Sequence, residues 1–274
     1  MRIKKQSPAA VARHNAQEED MGILSDKVAI ITGAGNGIGR ATVERFLREG
    51  AKVVALDRII DQTLQDPRLK WVKGDVTNDH DLAQAVDLAK AFGGVDICVA
   101  NAGVGQIEHF VDGTRASWMR VIDVNLVGVM MTLQAAARAM IEAGNGGRLL
   151  ATASIAGLRG EAHAPSTAYA ASKGAVMALM RALSVELAEH GITANAVAPG
   201  QIDTEMNASD LEVMSAMIGR KATDVRAEFL KNAVPLQRMG APAEVAGLFT
   251  YLASSDASFV TGSTFRIDGG ELAI

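Results

Sequence analysis

Cysteine is almost absent from this chain. Cys98 is the only one in 274 residues, so no disulfide can form within it. Cys98 stands in the apolar run Val95 to Ala100, where a lone thiol behaves as a small buried hydrophobe. That usage suits a reducing compartment, and a cytoplasmic location is expected. An excess of charge is also missing: 27 basic and 31 acidic residues leave a net charge of −4, with both signs interspersed. Neither a nucleic-acid nor a membrane partner is expected from that balance. Continuous apolar runs such as Val28 to Ile31 and Val127 to Met131 fall far short of the roughly 20 residues that span a bilayer. There is no short-period repeat and no low-complexity linker. His14, His80, His109 and His190 show no ligand spacing with acids or cysteine, so no catalytic metal is expected.

Residues 1–25 differ from the rest. They open on Arg2, Lys4 and Lys5, close on Glu18, Glu19 and Asp20, and lack the apolar segment of a secretory signal. Three readings fit: a weak transit peptide, a disordered tail, or translation that starts at Met21. The segment is read as an N-terminal extension and left outside the fold argument.

From residue 26 onward, aliphatic and β-branched runs alternate with helical patterns. The strands are expected at Val28–Ile31, Lys52–Leu56, Leu69–Val72, Val95–Ala100, Arg148–Thr152, Thr193–Val197 and Thr264–Ile267. Most are continuously apolar, the mark of strands buried on both faces. Helices are expected at Ile38–Glu49, Asp79–Phe92, Asn125–Ala143, Ala168–His190 and Pro242–Ala253. Gly50 and Gly191 close two of them, and Pro242 opens the last. The pattern predicts an α/β, doubly wound, Rossmann-type fold. It has a seven-stranded parallel sheet with helices on both faces, in a single domain over 26–274.

The first strand runs into Thr32-Gly33-Ala34-Gly35-Asn36-Gly37-Ile38-Gly39. Glycines let a backbone turn tightly and approach a pyrophosphate, and the following helix presents free N–H groups to it. The spacing is T-G-x-x-x-G-x-G, not the common G-x-G-x-x-G. Asp57 ends the second strand, 18 residues after Gly39, where an acid accepts hydrogen bonds from the adenosine ribose. A carboxylate there repels a 2′-phosphate, which argues for NAD over NADP. Arg58 is read as lying over the adenine or in solvent.

These motifs, in this order, resemble those of the short-chain dehydrogenase/reductase family over Lys27 to Gly270. The resemblance implies that Gly33, Asn36, Gly37, Ile38 and Gly39 border the cofactor phosphates. It implies that Asp57 and Arg58 stand near the ribose, and that Asp75 and Val76 hold the adenine. Asn101, Ala102 and Gly103 would line the cofactor cleft. The family's usual first asparagine is Ala100 here, a change read as touching strand packing. Pro199, Gly200, Ile202 and Thr204 would bind the nicotinamide, with the Thr204 hydroxyl on the carboxamide. Gly262 and Asp268-Gly269-Gly270 match the closing strand. The catalytic group would be Ser154, Tyr169 and Lys173, the last two also reaching the cofactor. Asn125 would kink its helix and hold a proton-relay water. Ser154 and Tyr169 stand 15 residues apart, about two more than the family usually has.

That chemistry suits these residue types. Tyr169 and Lys173 are four apart in a helical stretch and share a face. An ammonium beside a phenol favours the phenolate, so tyrosine can exchange a proton with an alcohol near neutral pH. Ser154 follows the fifth strand, at the sheet edge where open α/β folds bind ligands. Glu161 and His163, in the longer segment, would touch a polar substrate or only water. The segment over 201–234 is long for a connector and is expected to form a substrate lid. Its Met206, Leu211, Val213, Met214, Met217 and Ile218 would suit an apolar pocket or the buried stripe of a helix, and the stripe is the favoured reading. The function expected is an NAD-dependent oxidoreductase that interconverts a secondary alcohol and a ketone. The substrate would be cyclic, polyol or sugar-like. A 3-oxoacyl-thioester reductase is disfavoured by Asp57, and an inactive dinucleotide-binding regulator by the complete Ser-Tyr-Lys set. The family resemblance implies a homotetramer or homodimer.

Overall fold

The computed structural model describes residues 22–160 and 164–273. The extension over residues 1–21, the alternative start at Met21, and Glu161 and His163 lie outside the described residues. Seven strands pair in parallel in the order β3-β2-β1-β4-β5-β6-β7. They are β1 (Val28–Thr32), β2 (Lys52–Asp57), β3 (Leu69–Lys73), β4 (Ile97–Ala100), β5 (Gly147–Thr152), β6 (Ile192–Pro199) and β7 (Thr264–Ile267). The order reverses between β1 and β4, and in a doubly wound sheet that point opens a crevice at the C-terminal strand ends.

Helices cover both faces. On one side lie α1 (Gly37–Arg48) and α7 (Pro242–Ala253). On the other lie α2 (Asp79–Phe92), α3 (Arg115–Ala143) and α4 (Thr167–Glu186). Each strand divides its side chains between the two layers. Val28 and Ile30 join the core under α2 to α4, while Ala29 and Ile31 join the one under α1 and α7. Both layers are apolar, so the central strands read as mostly apolar runs, and all eight residues of β6 are buried, Thr193 and Asn195 among them. Cys98, in β4, is fully enclosed, and burial pushes its thiol up to about 12.

The helices begin and end for local reasons. In α2 the Asn78 carboxamide oxygen accepts from the His80 N–H at 3.0 Å, Asp79 and Asp81 occupy the first turn, and Gly93 follows at φ 131°. The start of α3 differs from expectation. α3 starts ten residues before Asn125, because Thr114 and Ser117 cap each other's backbone at 3.0 Å and nucleate a helix there. Its middle, Asp123–Gly128, is wound as a π-helical bulge. By composition α3 also holds an 18-residue window with mean hydropathy 1.4; half of that window is buried inside the fold. The segment over 201–234 contains two helices, α5 (Glu205–Met217) and α6 (Ala222–Ala233).

Phe249 of α7 is wholly buried in the same layer as Phe46 of α1, and α1 and α7 pack side by side. Phe249→Ala removes the largest apolar side chain on that face of α7. It is expected to lower stability by about 3–5 kcal/mol. Urea unfolding at fixed protein concentration measures this as a lower midpoint with an unchanged slope.

Candidate active site

The glycine loop is shaped by close backbone approach. Gly33 has φ 63°, and a Cβ there would stand 2.7 Å from the Ala102 Cα. A Cβ on Gly39 would lie 1.9 Å from the Gly33 carbonyl oxygen, so α1 packs directly on the loop that feeds it. The N-terminus of α1 has no side-chain cap and no acid in its first turn. Its amides are therefore left for an anion, which is what a pyrophosphate requires.

Asn101 fastens this loop to the sheet. Its backbone N–H donates to Thr32 Oγ1 at 3.1 Å, and its Nδ2 donates to the carbonyls of Thr32 and Gly33, both at 3.1 Å. Its Oδ1 accepts from Thr152 Oγ1 at 2.9 Å. One side chain thus joins the ends of β1, β4 and β5. Ala100 beside it is fully buried in β4 opposite Ala151, so its departure from the family pattern falls in strand packing.

At the other end of the loop, Asp57 Oδ2 accepts from the Gly35 N–H at 2.8 Å and Oδ1 from the Ile59 N–H at 2.9 Å. The carboxylate is held beside the loop at the tip of β2. Asp75 accepts from the Thr77 N–H and hydroxyl at 3.0 and 2.8 Å. That backbone bond first, then the Thr77 hydroxyl and the Arg58 cation 3.9 Å away, hold its carboxyl below the usual range. Arg58 is otherwise in solvent, 78% exposed.

Tyr169, Lys173 and Ser154 meet across the sheet edge from Asp57. Lys173 is buried in α4, donates from Nζ to the Thr152 carbonyl at 2.7 Å, and has Nζ 5.6 Å from the Tyr169 ring centre. Burial pulls its pKa down to about 8. Ser154 Oγ accepts from the Ala156 N–H at 3.2 Å, which fixes the hydroxyl at the end of β5. Asn125 lies in the π bulge, wholly buried. Its Oδ1 accepts from the Val104 N–H at 2.8 Å, and its Nδ2 donates to the Val104 carbonyl at 3.0 Å and Ser172 Oγ at 3.2 Å. Ser172 in turn donates to the Tyr169 carbonyl at 2.7 Å. A Cβ on Gly103 would stand 3.3 Å from Asn125 Oδ1 and 3.5 Å from Lys173 Nζ, so the three converge.

A single cleft of about 1570 Å³ runs from Asp57 and Asp75, past Gly33 and Gly37, to Ser154, Tyr169 and Lys173. That is room for a dinucleotide and a second small molecule. Asn36, Ile38, Arg58, Val76, Asn101, Ala102, Gly103, Pro199, Gly200, Ile202 and Thr204 also face it. Asn125 and Gly39 do not line it; they stand behind its wall. The Thr204 Oγ1 accepts from the Asn207 N–H at 3.2 Å and so caps α5. The same residue approaches the glycine loop: a Cβ on Gly37 would lie 3.2 Å from the Thr204 methyl carbon.

The lid corrects one expectation. Met206, Val213, Met217 and Ile218 are exposed rather than forming a buried stripe, and Ser215 is the one fully buried residue in α5. Met206, Leu211, Met214, Met217 and Ile218 border the cleft instead. Thr152 and Ser172 were not singled out in the sequence. Each is an ordinary hydroxyl until the fold sets it beside Lys173 or Asn125.

A family model described as enoyl-(acyl carrier protein) reductase matches residues 33–271. Galactitol 2-dehydrogenase of Agrobacterium fabrum is 38% identical, over 90% of this chain and 98% of that protein. The chain belongs to the short-chain dehydrogenase/reductase family. Another family member, sorbitol dehydrogenase of Cereibacter sphaeroides, is 35% identical over 90% of this chain and 98% of its own. Among solved short-chain dehydrogenase/reductase structures, one from Mycobacterium marinum superposes with a TM-score of 0.83. It is 36% identical, covering 93% of this chain and 99% of that one.

Burial of Lys173 has a measurable consequence. Its folded pKa, about 8, lies below the unfolded value of 10.5. Between those values the unfolded chain binds the extra proton, so this residue's contribution to stability rises with pH from about 8 to 10.5. Unfolding at pH 8 and pH 10 is expected to show the native chain gaining on Lys173→Met. Parallel behaviour of the two would contradict the buried, depressed lysine.

Proposed function

We propose that this protein is an NAD-dependent oxidoreductase that interconverts a secondary alcohol and a ketone. One observation carries the reading. Ser154, Tyr169 and Lys173 face the same cleft as the uncapped start of α1, and Asp57 stands at its far end. The residues fit a dinucleotide: Gly33 and Gly37 bring bare backbone to the cleft wall, and the start of α1 has neither a side-chain cap nor an acid to oppose an anion. When bound, the nicotinamide supplies or accepts the hydride.

The chain's own residues handle the proton and the substrate oxygen. The Tyr169 phenolic oxygen takes the proton from the alcohol, or returns it to the ketone oxygen. Lys173 places an ammonium 5.6 Å from that ring and so favours the phenolate. Its bond to the Thr152 carbonyl keeps it aimed there. The Ser154 hydroxyl holds the substrate oxygen as charge develops on it. Asn125 and Ser172 steady the α4 backbone at Tyr169 through the bonds from Asn125 to Ser172 and from Ser172 to the Tyr169 carbonyl.

Asp57 favours NAD, because its carboxylate accepts from ribose hydroxyls and repels a 2′-phosphate. For the substrate we favour a polyol, sugar or cyclic alcohol. The relatives named above are galactitol and sorbitol dehydrogenases. A further one, 38% identical over 92% of this chain, is the cis-4-hydroxycyclohexanecarboxylate dehydrogenase of Sinomonas cyclohexanicum. We also propose assembly as a homotetramer or homodimer through α3 and α4, where Met130, Ile141 and Val185 are exposed. Light scattering counts the subunits.

Initial rates with NAD and NADP over galactitol, sorbitol and cyclohexanol test the activity. Turnover with NAD in clear preference to NADP is expected, and a clear preference for NADP contradicts the role given to Asp57. Asp57→Ala is expected to narrow the gap by at least tenfold. Tyr169→Phe is expected to abolish turnover while NADH binding, followed by fluorescence, stays within about twofold. Surviving turnover would remove Tyr169 from the mechanism.

A further inference from the structure

Arg159 lies five residues after Ser154 and lines the cleft, yet its guanidinium reaches across to the turn that follows β7. Nη2 is ion-paired with Glu271 Oε1, and Nη1 donates to the Glu271 backbone carbonyl at 3.3 Å. Glu271 is wholly buried, and Arg159 is 30% exposed. A carboxylate at that depth is tolerated only with a cation beside it. Glu271 also presses on the turn at Pro199-Gly200: a Cβ on Gly200 would stand 3.0 Å from Oε2. The turn that carries Glu271 is itself fixed, since the Asp268 carboxylate accepts from the Gly270 and Leu272 N–H groups at 3.0 and 3.1 Å.

The segment that holds Arg159 begins at Ser154 and ends at Tyr169. It is anchored a second time near its far end, where the Glu108 N–H donates to the Pro165 carbonyl at 2.7 Å. Between those anchors, Gly160 and Ala164 face the cleft beside the reacting groups.

We infer that the Arg159–Glu271 pair is a pin that positions the substrate-side wall of the cleft, making the turn after β7 a determinant of substrate binding. Neither residue exchanges a proton with the substrate. The pair acts by holding residues 155–160 in register with Ser154 and Tyr169. The kinetic consequence rests on the alcohol–ketone activity proposed above; the structural one does not.

The test uses full-length Arg159→Gln, Glu271→Gln and the double variant, in which two neutral side chains can still hydrogen-bond, so a folded protein is available even if a single change destabilises it. Hydrogen exchange of the amides over 155–166 is read first. Faster exchange there is expected in each variant, with β1, β4 and β5 unchanged. Steady-state rates with NAD follow, using whichever of galactitol, sorbitol and cyclohexanol the native chain turns over fastest. KM is expected to rise about tenfold or more, with kcat within about threefold and the NADH dissociation constant within about twofold. The double variant should be no worse than the poorer single one, because both remove the same contact. Unchanged exchange and KM would overturn the pin. So would equal losses of NADH and substrate affinity, or additive effects in the double variant. If the native chain turns over none of the three alcohols, the proposed activity fails there, and the exchange data still decide the pin.

Discussion

The Asn101 carboxamide bonds to the carbonyls of Thr32 and Gly33 and to the Thr152 hydroxyl. That set of bonds governs the rest of the cleft. Parallel strands leave polar groups at their C-terminal ends that no ladder satisfies, and at a switch point the neighbouring loops diverge. Asn101 fills that gap with one side chain and fixes the glycine loop relative to β5. The Thr152 carbonyl, at the same strand end, then accepts from Lys173. The glycine-loop half and the Tyr169–Lys173 half of the cleft are therefore built on the same few atoms. A displacement at β4 would be felt at both.

Burial and charge meet at Lys173. Enclosing an ammonium disfavours it, while one neutral carbonyl only partly offsets the lost water. The result is a lysine whose proton is held more loosely than on an exposed chain, next to the phenol whose protonation it influences. The acids at the opposite end behave differently. Asp57 and Asp75 remain half-open and draw on backbone N–H groups, and for Asp75 the Thr77 backbone bond holds the carboxyl below its usual range.

The sheet could be read from the chain because its central strands are buried on both faces. Val28 to Thr32 and Ile97 to Ala100 are wholly buried runs with almost no polar residue to misassign, and the T-G-x-x-x-G-x-G spacing follows from Gly39 touching the Gly33 carbonyl. Tyr169 and Lys173 were readable for a similar reason: a spacing of four in a helix is a fixed geometry. The start of α3 was not. Its cap pairs a threonine with a serine rather than with a longer acid or amide, and Asp123 and Asn125 interrupt the apolar period within the helix. The segment over 201–234 allowed two readings, because composition does not distinguish apolar side chains that face a cleft from those that face the core. Arg159 and Glu271, 112 residues apart, carried no local signal at all.

The π bulge at Asp123–Gly128 has a consequence for how this helix can change over time. An α-helix advances about 100° per residue, and a bulge of this kind amounts to one residue added to the winding. Asn125 is buried within it behind the cleft wall, whereas Met130 and Ile141 lie beyond it and are exposed. Loss of any one residue between 123 and 128 would let the winding revert to α and rotate one part of α3 against the other by that angle. Inner and outer surfaces of the protein are thus phased by a single inserted residue, and point substitutions are far easier to accommodate here than deletions.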